Sequence, residues 1–184
     1  GGQTGVGISG AGVYSENRVR TLVRSVIDGD GAAGIHVASV HLLADDAASV
    51  HADAGAASIA ASYGGQAGAL SVAVGLAIAG NSVANEVAAL VQNADQQLKT
   101  ATGDVSITAT SHGSIESLAV AASLSVGFSG TGAITVSGGG AISQNLILTN
   151  TEAGISASQI VSAGDVAIAA DNRSTIHSTV VTAS

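Results

Sequence analysis

One stretch of the chain comes back at a fixed interval, and that interval limits what the chain can fold into. Every second residue from Asn17 reads Asn17, Val19, Thr21, Val23, Ser25, Ile27. The pattern returns as Asn81, Val83, Asn85, Val87, Ala89, Val91 and as Asn145, Ile147, Thr149, Thr151, Ala153, Ile155, each copy 64 residues after the last. A segment repeated at such a period cannot bury its apolar face alone and must stack on its neighbours. The repeats divide the chain into unit one (residues 1–64), unit two (residues 65–128) and an incomplete unit three (residues 129–184), expected to form one continuous solenoid. The chain opens Gly-Gly without an initiator Met and stops in mid-unit, as a window cut from a longer array would.

The first copy taken alone suggests a helix. Val19, Leu22, Val23, Val26 and Ile27 fall at i, i+3, i+4, i+7 and i+8, and Val83, Val87, Leu90, Val91, Ala94 and Leu98 repeat that spacing. The third copy decides otherwise. Residues 145–155 (NLILTNTEAGI) place Thr, Asn and Gly inside the segment and break the helical stripe, yet they keep the two-residue alternation. Only the period of two survives in all three copies, which predicts a strand over each.

Further strands repeat between these copies. Residues 103–117 (GDVSITATSHGSIES) match residues 164–178 (GDVAIAADNRSTIHS) without a gap, and residues 38–52 are a weaker version with Val40, Leu42, Ala44 and Val50 at the apolar places. Polar breaks at Asp45–Asp46, Ser111–His112 and Asn172–Arg173 predict a corner in each. Residues 28–34 (DGDGAAG) read as a turn, since Gly and Asp supply positive φ. A small-residue strand over residues 54–63 is echoed by residues 119–128, with Tyr63 and Phe128 equivalent. These landmarks follow one another about every 20 residues, a natural length for one coil of a parallel β-solenoid. The expected fold is therefore all-β, a parallel β-solenoid of 64-residue repeats with about three coils per repeat; a single wide coil of 64 residues competes with it.

The apolar residues are mostly Ala and Val, so a thick core of Leu and Phe cannot be built, and surface must be buried by close approach of backbones. The chain has no Pro, which suits strands that must each donate their N–H groups to a ladder. The NxVxTxVxSxI alternation, GDVSITAT, GDVAIAA and the Gly/Ala/Ser runs together resemble the repeats of very large bacterial surface proteins. These are the filamentous-haemagglutinin-like and leukotoxin-like adhesins, secreted through the outer membrane and built as β-helical rods. The resemblance covers essentially the whole chain and implies an extracellular location, a fibrous or adhesive role and a host or cell-surface ligand. It carries over no functional residue.

The side chains point to no chemistry of their own. A formal charge of −8 argues against nucleic acid as a partner. The apolar run over residues 67–80 is short of the ~20 residues a membrane helix needs, so the chain is read as not membrane-spanning. No enzyme activity, cofactor or metal is expected. His36 and His41 would point to opposite faces of one strand, and His51 and His177, two units apart, would lie far from each other in any stacked rod. Asp28-Gly29-Asp30-Gly31 opens like a calcium loop but lacks the later ligands, which favours a plain turn. Ser111, His112 and Asp104 could be drawn as a triad, without a nucleophile elbow around the serine. Asp45, Asp46 and Asp53 belong to unit one only, unlike the clustered carboxylates of sugar-cleaving solenoids.

Two sets of residues carry structural expectations. Asn17, Asn81 and Asn145 are expected to stack as an amide ladder along the axis. Arg18, Arg20 and Arg24 would share one strand face with Glu86 and Glu152, making candidate assembly contacts between successive units or neighbouring rods. The partners implied are other repeats of the same protein or copies of the chain itself. The expected role is a structural, rod-like or fibre-forming segment, with a carbohydrate-binding or carbohydrate-cleaving solenoid and a self-assembling filament or sheath subunit as the competing readings.

Overall fold

A computed structural model describes residues 4–184, so the first three residues of unit one lie outside the described residues. Among the described residues there is no helix, and five strands recur in the same order three times. The first coil comprises β1 (Gly5–Val19), β2 (Leu22–Asp28), β3 (Ile35–Val37), β4 (Val40–Asp46) and β5 (Ser49–Gly64). The second comprises β6 (Ala69–Val83), β7 (Glu86–Gln92), β8 (Leu98–Thr100), β9 (Val105–Ser111) and β10 (Ser114–Ser129). The third comprises β11 (Ala133–Ile147), β12 (Asn150–Ser156), β13 (Ile160–Val161), β14 (Val166–Asn172) and β15 (Thr175–Ala183). Equivalent strands pair in parallel, giving five three-stranded sheets such as β1–β6–β11. The chain is a parallel β-solenoid.

The register corrects the expected coil size. Asn17 pairs with Asn81 and Asn81 with Asn145, so one 64-residue repeat is one coil, not three coils of about 20. The landmarks spaced by about 20 residues mark successive sides of a single wide turn, not stacked copies of one side. A second expectation also changes. The predicted strand from Asn17 to Ile27 is broken by a corner between β1 and β2, where the Thr21 N–H donates to Asn85 Oδ1 at 3.1 Å. The alternation stays in phase through the corner, so Val19, Val23 and Ile27 all pack against the interior. Residues 83–98, the helix-like stretch, contain β7 instead.

The interior has two regions of different chemistry. Around β7, β8 and β9 it is aliphatic, with Val87, Val91, Leu98, Val105 and Ile107 fully buried. Between the long strands it is almost all alanine: Ala54, Ala56, Ala77, Ala79, Ala119 and Ala121 form one cluster. There the β1–β6–β11 and β5–β10–β15 sheets lie face to face as a thin two-layer blade. Gly75 shows how thin: a Cβ placed on it would lie 2.7 Å from the main-chain oxygen of Ala122 in the opposite sheet. With no room inside for more than a methyl group, the larger residues of β6 before Gly80 point outward. Ala73 and Ala77 are buried while their neighbours Val74 and Leu76 are exposed. The buried hydroxyls of Ser58, Ser62, Ser71 and Ser123 lie in the blade without a hydrogen-bond partner, so these serines serve there as small residues.

A left-handed residue turns the corner after the second strand of every coil: Gly29 at φ 80°, Asn93 at 56° and Ala157 at 46°. Glycine tolerates this conformation and asparagine adopts it readily, but alanine places Cβ against the carbonyl that follows. Ala157→Gly is therefore expected to stabilise the chain by about 0.5–1 kcal/mol in a denaturant melt. A loss of stability would contradict the left-handed corner.

Candidate functional site

Polar side chains in this solenoid are spent chiefly on the step from one coil to the next. Asn17 Nδ2 donates to Asn81 Oδ1 at 2.9 Å, and Asn81 Nδ2 donates to Asn145 Oδ1 at 2.8 Å. The open end of this run is held in turn, because Asn145 Nδ2 donates to Ser117 Oγ at 2.9 Å. Each side-chain amide carries an N–H donor on one edge and a carbonyl acceptor on the other, so identical residues one coil apart satisfy one another only in 64-residue register. Ser114 Oγ donates likewise to Ser49 Oγ at 3.1 Å, and the Asp165 N–H donates to Asp104 Oδ1 at 2.8 Å.

The turn after β2 uses its two aspartates in the same way. Asp28 accepts from Asn93 Nδ2 at 2.7 Å and Gln92 Nε2 at 3.0 Å, and Asp30 accepts the N–H groups of Gln96 at 2.8 Å and Gln97 at 2.6 Å. The carboxylates of the calcium-like DGDG segment thus hold the next coil's turn. The Asn93 and Gln92 hydrogen bonds keep the Asp28 carboxyl below its ordinary pKa. A carboxyl depressed in the folded state stabilises the fold above its unfolded value and loses that contribution as pH falls through the folded one. The melting-temperature gap between the parent chain and Asp28→Ala is therefore expected to narrow as pH is lowered from about 6 to about 2. A gap constant over that range would contradict the assignment.

One buried carboxylate forms a knot that alternation and spacing do not reveal. Asp46, at the end of β4, accepts from Thr21 Oγ1 at 2.9 Å and from Asn85 Nδ2 at 2.6 Å, joining two corners that lie on different sides of the coil. Asp45, its neighbour, points outward and accepts from Thr110 of the next coil. Asp53 lies outward on β5 beside His51, so Asp45, Asp46 and Asp53 share no common face.

Wide coils bring His51 and His177 much closer than narrow ones would. Both pair with Glu116, giving a column His51–Glu116–His177 on the outer side of the β5–β10–β15 sheet. The expectation that they lie far apart is overturned: two strand steps of ~4.8 Å separate their backbones. His51 Nδ1 is 3.4 Å from Glu116 Oε2, and its Nε2 is 3.4 Å from Asp53 Oδ2. Among the described residues no group of three or more His, Cys, Asp or Glu side chains is placed to hold a metal ion. Ser111, His112 and Asp104 do not converge. Ser111 Oγ is buried without a partner, whereas His112 is exposed at the corner and Asp104 holds the N–H of Asp165.

The arginines divide among several places. Arg18 lies on β1 and pairs with Glu16 of the same strand, Arg20 sits at the corner, and Arg24 lies on β2 and pairs with Glu86 of the second coil. Glu152 stands in the column of Arg24 with Ala88 between them. Arg24 and Glu86 are each about half exposed, so their pair adds at most ~1 kcal/mol.

An open groove of about 930 Å³ runs beside the asparagine run, lined in part by Tyr14, Arg18, Arg20, Gln144 and Leu148. Tyr14 donates to Glu16 Oε2 at 3.0 Å, and this hydrogen bond raises the phenol's pKa. Among the described residues no helix is long and apolar enough to cross a membrane. No protein-family model, no curated protein and no solved structure matches the chain.

Proposed function

We propose that this chain is a structural, rod-like or fibre-forming segment of a large secreted bacterial surface protein or adhesin, without enzymatic activity. One observation carries the reading: the hydrogen bonds of Asn17, Asn81, Asp28 and Asp30 join one coil to the next. The asparagine run, the Asp28 and Asp30 contacts and the Ser49–Ser114 bond all follow the axis. Such an arrangement transmits register and load, and it repeats for as long as coils are added. The extracellular location and adhesive role come from the resemblance of the repeats to giant bacterial adhesins.

Proteolytic shaving of intact producing cells, with the released peptides identified by mass spectrometry, tests the location. Peptides of the 64-residue repeat are expected in the shaved fraction; recovery only after lysis would remove the surface role. A self-assembling filament subunit is the second reading. It is favoured by the exposed apolar residues on the outer face of the β1–β6–β11 sheet, among them Ile8, Val74 and Ile134.

A further inference from the structure

We propose that the outer face of the β1–β6–β11 sheet is a self-complementary surface by which two copies of this chain pair side to side. The inference deepens the rod reading, on which it rests, by naming the surface that joins neighbouring rods.

The face is apolar to a degree that an isolated rod does not require. Columns that begin at Val6, Ile8 and Tyr14 are aliphatic or aromatic in all three coils. Ile8 is 78% exposed and Val74 52%. Residues 69–83 and 133–147 contain no charged side chain, and β1 carries none before Glu16, although the whole chain has a formal charge of −8. Two such faces can therefore meet without like-charge repulsion. A continuous apolar surface rimmed by charge marks an interaction site.

Relief on the face identifies the occupant. In the middle of the apolar band the second coil presents Val74 and Leu76, while the coils on either side present Gly10 and Gly12, or Gly138 and Gly140, at the same columns. These glycines are not demanded by the backbone. Gly10, Gly12, Gly138 and Gly140 all lack a positive φ, and a Cβ on Gly138 would have no heavy atom within 4 Å. The nearest atom to a Cβ on Gly10 would be 3.9 Å away. They leave two hollows that flank a ridge at a spacing of one coil, ~4.8 Å. A second copy, turned to face the first and offset by one coil, seats each ridge in the other's hollow. This is the isologous geometry of a two-fold pair.

Lipid is the other apolar environment available, and the blade suits it poorly. Inserted in hydrocarbon, the thin blade would carry the outer face of the β5–β10–β15 sheet with it, and His51, Asp53 and Glu116 there would lose their water. Face-to-face pairing through β1–β6–β11 leaves that charged face wet. With an offset of one coil, nine residues of band by two strands cover roughly 300 Å² per copy, about a third of what a standard interface buries on each side. Three coils should therefore pair weakly, and longer arrays strongly.

Sedimentation equilibrium of the 184-residue chain over a wide concentration range is the test, with circular dichroism run on each variant. The parent chain is expected to show a monomer–dimer equilibrium. Val74→Ser/Leu76→Ser should weaken it about tenfold or more. Gly10→Val/Gly138→Val fills the hollows while adding apolar surface, and it should weaken pairing as well. A parent that stays monomeric with an intact strand spectrum would overturn the pairing and leave the rod standing. So would association unchanged by the ridge variant, which would assign it to the strand edges, or association strengthened by the glycine variant, which would make it nonspecific. Monomers that instead float with phosphatidylcholine vesicles would give the face to lipid. Loss of the strand spectrum in the parent chain would overturn the rod itself.

Discussion

Gly75→Leu is expected to force the blade apart and to cost on the order of 3 kcal/mol. Gly75 points into the blade from β6, where a Cβ would stand 2.7 Å from a main-chain oxygen of Ala122 on β10. A main-chain atom held in a ladder on both sides cannot move aside alone, so the strain spreads through the sheet. Chemical denaturation of Gly75→Leu beside Gly138→Ala makes the comparison internal. Gly138 faces outward into open space, and its substitution should change stability by less than about 0.5 kcal/mol. Similar losses at both glycines would refute a close-packed interior for the blade.

Ile107→Ala should cost about 2–5 kcal/mol, the range for emptying a fully buried aliphatic site. Its column is Leu42–Ile107–Ile168, one residue from each coil, yet the three are not energetically equal. Ile107 is 0% exposed between two coils, whereas Ile168 on the terminal coil is 47% exposed. Ile168→Ala is accordingly expected to cost about 1 kcal/mol or less. In a chain lengthened by one more coil, the cost at Ile168 should climb towards that at Ile107. Equal costs in the 184-residue chain would mean that burial is not set by stacking.

What was legible beforehand follows from which physical signal each feature leaves. The strand assignment rested on residues 145–155, where Thr149, Asn150 and Gly154 spoil a helical stripe without disturbing alternation, and the structure places β12 there. The corners near Asp46, Ser111 and Asn172 were visible because polar pairs interrupt apolar alternation, and β4, β9 and β14 end at those residues. The 20-residue spacing misleads about coil size for a definite reason. Successive sides of one wide turn carry similar Val-rich alternation, so similarity every 20 residues resembles stacking, and only long-range pairing separates the two. The 64-residue register alone brings His51, Glu116 and His177 into one column. The Asp46 knot left no local mark, because Thr21 and Asn85 reach it across the coil. The inverted sidedness of the blade was present as Leu70, Val72, Val74, Leu76 and Ile78 alternating with Ser71, Ala73, Gly75 and Ala77. Alternation alone does not say which set faces inward, and the glycine was the clue that the small set does.

A coil of 64 residues makes the array slow to lengthen, since each coil adds only ~4.8 Å along the axis. Covering a given distance takes about three times the chain that a coil of 20 residues would need. The extra chain goes into breadth: β5, with 16 residues, extends about 50 Å sideways. Resistance to flexure rises steeply with depth in the plane of bending and little with depth across it. A long array of such coils should therefore behave as a ruler does, unyielding edgewise and pliant flatwise, with a preferred direction in which it gives way under shear.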